Sequence, residues 1–186
     1  MNPETTRRVT VWFVALSIGT LAFGGVVAVA TPVSQAQETP TVSVSNASVD
    51  VGNQTTAEIT LSSAPNGVAG YNIVVALDGT ENATLENVTV PETFDLSAVE
   101  NQTDRQVTLR AVDLDGSIAE GEENVSLATV QLTGQSSNNA TISVTVNRFD
   151  DPEGNPIDPQ TRAGILQVLG DSTQSISIQS EVNGPV

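Results

Sequence analysis

The stretch "SSAPNGVAGYNIVVALDG", from Ser62 to Gly79, contains the features that decide the fold. A Pro-Asn-Gly turn and a second glycine stand directly before a dense apolar run that begins at Tyr71, the only tyrosine of the chain. Every second residue from Tyr71 to Leu77 is bulky and apolar, which is typical of a strand with one buried face. We therefore predict that Tyr71 packs at the edge of a core, with its hydroxyl at solvent or backbone. The alternative is that its ring stacks on a carbohydrate.

The same period of two continues along most of the chain after residue 40. It predicts about nine short strands, rich in Val, Thr and Ile and separated by Gly, Asn, Asp and Pro. In chain order, they are "TVSVS", "TAEITLS", "GYNIVVAL", "ATLENVTV", "RQVTLRAVDL", "VSLATVQLTG", "ATISVTVNRF", "AGILQV" and "SISIQ". No segment in this region shows the 3.6-residue period of a helix. The pattern predicts an all-β fold, an antiparallel two-sheet β-sandwich.

The N-terminal region has a different composition. Arg7 and Arg8 precede an uncharged run over residues 9–30, and Ser34-Gln35-Ala36 fits the small-x-small site that signal peptidases cleave. A run of about 20 apolar residues is also long enough to span a bilayer, so a retained membrane anchor is the alternative. Both interpretations predict an exported protein, secreted or at the cell surface. The predicted organisation is a signal peptide or anchor helix over 1–36, a linker over 37–40, the sandwich over 41–179 and a flexible tail over 180–186.

The charge balance restricts the partners and the chemistry. The 186-residue chain has 22 acidic and six basic side chains, a net charge of −16, and no lysine, histidine or cysteine. Without a basic patch, a nucleic-acid partner is excluded. Most nucleophile–base pairs need His, Cys or Lys, so we do not expect an enzyme. Molar salt shortens the screening length to about 3 Å and removes the self-repulsion of such a chain. Acid-rich, lysine-free surfaces resemble those of extremely halophilic archaea.

Three stretches, taken together, resemble the cohesin family. They are "VSVSNASVDVGNQTTAEITLSSAPNGVAGYNIVVALD", "VTLRAVDLDGSIAEGEENVSLATVQLTG" and "ATISVTVNRFDDPEGNPID", and the match covers about Thr41 to Val168. Gly67 and Gly70 have the family's glycine spacing, whereas its Tyr-Asp pair reads Leu77-Asp78 here. The resemblance implies a jelly-roll sandwich related to carbohydrate-binding modules. It also implies a non-catalytic role, in which one sheet face holds a dockerin, a small calcium-loaded helical module.

The predicted function is therefore that of an extracellular interaction module with a dockerin-like protein partner. We expect the contact surface on the strands "VTLRAVDL" and "VSLATVQL", through side chains that alternate with the core. The candidate contact residues are Arg110, Asp113, Asp115, Thr129 and Gln131. Two other functions stay open: a carbohydrate-binding module of polysaccharide catabolism, with Tyr71 as its sugar contact, and a structural spacer at the cell surface.

The densest acidic segment is "FDDPEGNPID". Closely spaced oxygen ligands around a glycine turn are the type of site that calcium prefers. The candidate ligands are Asp150, Asp151, Glu153, Asn155 and Asp158. The alternative is a solvated hairpin whose turn is fixed by Pro152 and Pro156. No cofactor other than calcium is expected.

Asn-x-Ser/Thr motifs occur seven times after the predicted cleavage site. An exported chain can carry N-linked glycans at such motifs, provided that they lie at the surface. The candidate asparagines are Asn46, Asn53, Asn82, Asn87, Asn101, Asn124 and Asn139.

Overall fold

The structure, a computed structural model, describes residues 39–78 and 81–170. The predicted signal or anchor over 1–36, the strand "SISIQ" and the C-terminal tail lie outside the described residues. Every regular element within them is a strand. The strands are β1 (Thr41–Val44), β2 (Ala47–Asp50), β3 (Gln54–Ala64), β4 (Gly70–Asp78), β5 (Ala83–Thr89), β6 (Leu96–Glu100), β7 (Gln106–Val112), β8 (Glu122–Gly134), β9 (Asn139–Asp150), β10 (Gln160–Arg162) and β11 (Gly164–Leu169).

These strands form two sheets, which confirms the prediction of an all-β, two-sheet sandwich. One sheet has five strands in the order β10-β1-β3-β8-β5, and the other has six in the order β2-β11-β9-β4-β7-β6. Eight of the predicted strands are present. Three strands that the sequence did not indicate, β2, β6 and β10, lie at sheet edges and are three to five residues long. Short edge strands bury few side chains and therefore show little alternation.

Two strand pairings differ from the predicted antiparallel arrangement: β1 runs parallel to β10, and β2 runs parallel to β11. The reason is that two extended segments, 41–50 and 160–169, lie side by side and both pass from the five-stranded to the six-stranded sheet. A Cβ on Gly164 would lie 2.6 Å from the carbonyl oxygen of Ser45, so this crossing requires glycine. The Asn46 Oδ1 accepts a hydrogen bond from the Ile165 N–H there, at 2.8 Å.

The core lies between the sheets and is filled by the alternating aliphatic side chains. On β4, Tyr71, Ile73, Val75 and Leu77 are all buried, as their period of two predicts. Complete burial of an aliphatic side chain of this size contributes about 1.5–3 kcal/mol. Residues between these positions point outward, so each sheet has an outer face.

Candidate functional site

The outer surface of β6, β7, β4 and β9, which we call the arginine face, carries two arginines in one row. Arg110 on β7 and Arg148 on β9 both pair with Asn72 on the strand between them. Ala98 on β6 pairs with Arg110 and extends the row to the sheet edge. The row exists because antiparallel partners directly opposite each other project to the same face.

Both arginines are exposed and each contacts one carboxylate of its own sheet. The Arg110 Nε lies 3.5 Å from the Glu100 Oε2, and the Arg110 side chain is 57% exposed. The Arg148 Nε donates to the Asp150 carboxylate, and this side chain is 71% exposed. The hydrogen bond to Asp150 raises the pKa of Arg148. In both residues the contact with the carboxylate is made by Nε.

An apolar patch adjoins this row. Leu96 and Val112 are cross-strand partners on the outer surface, and Leu96 is 58% exposed. Leu114, just beyond β7, is 64% exposed, and its N–H donates to the Asp95 carboxylate at 2.7 Å. Large aliphatic side chains held outward in a cluster are typical of interaction sites. We call Leu96, Val112 and Leu114 the apolar patch.

A shallow hollow connects the apolar patch to the arginines. Its volume is about 590 Å³, and its lining includes Gly70, Arg110, Val112, Arg148 and Pro152. Gly70 forms its floor, because a Cβ at this position would lie 2.7 Å from the carbonyl oxygen of Ala111 on β7. Because glycine has no side chain, β4 and β7 approach closely at this position and a depression is left above them.

The five predicted contact residues do not share one surface, so that part of the prediction is wrong. β7 belongs to the six-stranded sheet and β8 to the five-stranded sheet, and Thr129 and Gln131 therefore lie on the opposite side of the sandwich from Arg110. Asp113 is buried, and its carboxylate accepts hydrogen bonds from the N–H groups of Ser117 and Ile118 at 3.0 and 2.8 Å. It holds the loop after β7 in place. Asp115 is exposed in the same loop.

Tyr71 is buried, and its ring has no surface on which a sugar can stack. It packs edge-on against Phe94, with centroids 5.0 Å apart, and stacks on Phe149 at 5.5 Å. Its hydroxyl donates to the carbonyl oxygen of Leu127 on β8, which links the two sheets. The β3–β8 register passes from Ala128 to Ser126, so Leu127 has no partner across that ladder. Burial raises the pKa of Tyr71 well above its usual value, so the hydroxyl stays protonated as a donor.

The acidic segment forms a turn between β9 and β10. Asp151 is buried, and its carboxylate accepts hydrogen bonds from the backbone N–H and the Nδ2 of Asn155, at 2.7 and 3.0 Å. The hydrogen bond from the Asn155 side chain lowers the pKa of Asp151. Gly154 has a φ of 82°, which favours glycine. Within residues 39–78 and 81–170, no group of three or more His, Cys, Asp or Glu side chains is placed to hold a metal ion. This observation does not test calcium itself, so calcium binding by Asp150, Asp151, Glu153, Asn155 and Asp158 stays a prediction.

Six of the seven glycosylation candidates are exposed, whereas Asn82 is buried. The Asn82 Nδ2 donates to the carbonyl oxygen of Asn139 at 3.2 Å, and its Oδ1 accepts from the Ser136 hydroxyl at 2.9 Å. Because this nitrogen is buried and hydrogen-bonded in the folded domain, Asn82 is the least accessible of the seven candidates. Asn87, in contrast, lies on the outer surface of β5 opposite Gln131.

Sequence reasoning missed Asn72 and Arg148. The available signal was that only four arginines follow the N-terminal segment and that Arg148, like Arg110, stands within a strand. Its place beside Asn72 depends on strand pairing across 76 positions of the chain. Alternation along one strand carries no information about that pairing.

Comparisons with known proteins identify the fold. No protein-family model matches the chain, and no curated protein matches it. Among solved structures, a non-cellulosomal cohesin from the hyperthermophilic archaeon Archaeoglobus fulgidus is 16% identical, with a TM-score of 0.59 over 71% of this chain and 92% of that chain. The seventh ScaB type I cohesin from Pseudobacteroides cellulosolvens is 13% identical, with a TM-score of 0.63 over 73% and 96%.

A third similar structure is the sixth cohesin of scaffoldin B from Acetivibrio cellulolyticus, in complex with a Cel5 dockerin mutant. It is 14% identical, with a TM-score of 0.61 over 70% of this chain and 99% of that chain. The described residues therefore form a cohesin-like β-sandwich. No helix long and apolar enough to cross a membrane occurs in the described part of the chain.

Proposed function

We propose that this protein is an exported, non-catalytic, cohesin-like module of a halophile, and that it binds a dockerin-like protein through the arginine face. The observation that carries the proposal is the combination on one sheet surface of an exposed apolar patch, a hollow and two arginines. Protein interfaces are enriched in arginine and in buried apolar side chains at their centre. The similar cohesin of Acetivibrio cellulolyticus was solved with a dockerin bound.

The composition and the N-terminal segment support the cellular context. The apolar run over residues 9–30 has the character of an export signal or a membrane anchor. A net charge of −16 is tolerated by a compact chain when molar salt screens the repulsion. The protein is therefore proposed to act outside the cell, in high salt, either secreted or attached to the membrane.

A carbohydrate-binding role has no comparable support. Tyr71, Phe94 and Phe149, the three aromatic residues among the described residues, are packed together in the core. Stacking on sugars requires exposed rings, and the arginine face offers aliphatic and charged groups instead. A protein partner is the better match to these groups.

The test measures binding of the full-length chain to a panel of calcium-loaded dockerin modules from the same organism, in molar salt. Leu96→Asp with Val112→Asp places two charges in the apolar patch. The matched control, Thr56→Asp with Thr129→Asp, places two charges on the five-stranded sheet. We expect the first pair to weaken binding by about 100-fold, the size of a hot-spot loss, and the control to change it less than about twofold. Equal effects of the two pairs, or no binding by any dockerin of the panel, would overturn the proposal.

A further inference from the structure

The arginines of this chain are unevenly placed between the two sheets. Four arginines lie within the described residues, against an overall excess of acidic over basic side chains of 22 to six. Arg110 and Arg148 stand on the arginine face on either side of Asn72. Adjacent strands are about 4.8 Å apart, so the two arginines are rooted about 10 Å from each other. The row therefore places two guanidinium groups near each other, each paired with one carboxylate of its own sheet, Glu100 or Asp150.

The other two arginines have different surroundings. The Arg105 Nη2 donates to the carbonyl oxygen of Leu77 at 2.6 Å, so this side chain supports the end of β4. Arg162 lies on the short edge strand β10 of the five-stranded sheet. Arg110 and Arg148 alone adjoin the hollow and the apolar patch.

Neither of these two arginines is saturated by its own carboxylate. A guanidinium has five N–H donors in a planar fork, and each of these two groups contacts a single carboxylate through its Nε. The terminal nitrogens remain available for a bidentate contact with a carboxylate, which is the geometry that arginine favours. The neighbouring apolar patch requires aliphatic side chains on the same partner surface.

On the basis of the proposed docking function, we infer that the partner presents a surface that is both acidic and aliphatic. Carboxylates about 10 Å apart meet Arg110 and Arg148, and aliphatic side chains cover the apolar patch. The contact must be short-ranged, because at molar salt charges interact over only about 3 Å. The contact is therefore made by bidentate hydrogen bonds between guanidinium and carboxylate groups rather than by long-range electrostatic attraction. Lysine cannot make this bidentate contact and is not an adequate replacement for arginine.

The first test compares affinities for whichever dockerin module of the panel binds most tightly. Arg110→Gln and Arg148→Gln should each weaken binding by about tenfold, as expected for loss of a charged hydrogen-bonded pair at an interface. Arg162→Gln, the matched control on the other sheet, should change it less than about twofold. The Arg→Lys variants at positions 110 and 148 should recover only part of the loss.

The outcomes separate this inference from the proposed function. If both Arg→Gln variants bind like the wild type while Leu96→Asp with Val112→Asp abolishes binding, docking stands and the acidic partner surface is refuted. If the apolar variants also have no effect, the docking function itself fails. Loss of binding with Arg162→Gln as well would remove the evidence for a specific site and overturn the inference.

A second test uses the absence of lysine from the chain. Arg110→Lys or Arg148→Lys introduces a single side-chain amine, which carbodiimide links to a carboxylate in direct contact with it. Glu100→Gln or Asp150→Asn, respectively, removes the competing carboxylate of the same sheet. We expect an amide bond to an Asp or Glu of the bound dockerin, found by mass spectrometry, and none from Arg162→Lys. Absence of the link at both positions in a complex that still forms would contradict the inference.

Discussion

The arginine face and the outer surface of the five-stranded sheet, here called the hydroxyl face, cover the same core from opposite sides but carry different side chains. On the hydroxyl face, most cross-strand partners are Ser, Thr, Gln and Asn, for example Ser43 with Thr60 and Asn87 with Gln131, and Glu58 lies opposite Thr129. On the arginine face they include Leu96 with Val112 and Asn72 with both arginines. The two surfaces therefore have the same backbone construction but different chemistry.

The two faces also differ in how many of their polar side chains are hydrogen-bonded to neighbours on the same face. On the hydroxyl face, the Ser43 and Thr60 hydroxyls lie 3.1 Å apart, and the Gln131 Nε2 donates to the Gln54 Oε1 at 3.1 Å. Short side chains bonded to each other form a stable solvent-facing layer. On the arginine face, the Asn147 Nδ2 donates to the Asn72 Oδ1 at 3.4 Å, whereas Leu96 and Leu114 stay exposed and each guanidinium has more donors than its one carboxylate accepts. The alternation therefore specifies the core, whereas the outward positions specify the chemistry of each surface.

The largest expected effect is in the interior that both faces share. Phe149→Ala removes a fully buried ring that stacks on Tyr71, and it should lower the free energy of unfolding by about 3–5 kcal/mol. Leu114→Ala, on the exposed apolar patch, is the control and should change it by less than about 0.5 kcal/mol. Denaturant titration in molar salt measures both. A cost below about 1 kcal/mol for Phe149→Ala would show that the stack of Phe149 on Tyr71 contributes little to the core.

A smaller effect is expected from the hydrogen bond that links the sheets behind the two faces. Tyr71→Phe keeps the ring but leaves the Leu127 carbonyl oxygen buried without its donor, at a cost of about 2 kcal/mol. Because the ring is retained, the aromatic packing and the affinity for a dockerin should not change. A variant as stable as the wild type would mean that the Leu127 carbonyl is satisfied in another way.

Two asparagines with the same sequence motif should behave differently. Asn82→Ala removes buried hydrogen bonds to Ser136 and Asn139 and should cost about 1–2 kcal/mol, whereas Asn87→Ala on the hydroxyl face should cost less than about 0.5 kcal/mol. In the protein purified from its own organism, glycopeptide mass spectrometry should find a glycan on Asn87 and none on Asn82. Occupancy at Asn82 would contradict its buried position.

The smallest effect is the pH dependence contributed by the turn beside the arginine face. Asp151 has a lowered pKa in the folded state because of its hydrogen bond from the Asn155 side chain. Its contribution to stability is therefore present above the unfolded pKa and is lost as the pH falls through the folded value. The free energy of unfolding, measured by denaturation between about pH 5 and pH 2, should fall less steeply with decreasing pH for Asp151→Asn than for the wild type. An unchanged slope would mean that Asp151 does not titrate with unfolding.

The sequence predicted the features that depend on one strand at a time. The buried phase of β4 and the internal position of Tyr71 follow directly from the alternation between residues 71 and 77. Strand pairing was not predictable in the same way, because Asn72 and Arg148 become neighbours only when β4 and β9 align. For this reason, the sequence singles out Arg110 by its rarity and its mid-strand position but does not reveal its neighbours on the face, and its role as a contact residue stays a prediction.

The errors have the same physical origin. Thr129 and Gln131 alternate with core residues just as Arg110 does, and nothing in that local pattern says that β7 and β8 belong to different sheets. Asp113 looks like an exposed turn residue, yet it is buried because two backbone N–H groups bind its carboxylate. A glycosylation motif likewise does not reveal whether its asparagine faces solvent.

The most direct test of the docking claim uses the fact that the chain has no cysteine. Asn72→Cys places a single thiol at the centre of the arginine face, and Gln131→Cys places one on the hydroxyl face. Each variant is labelled with a maleimide-linked polyethylene glycol, and its binding to the calcium-loaded dockerin panel is measured in molar salt. We predict that the label at position 72 abolishes binding and that the label at position 131 leaves it unchanged. Full binding with position 72 labelled, or loss only with position 131 labelled, would contradict the account.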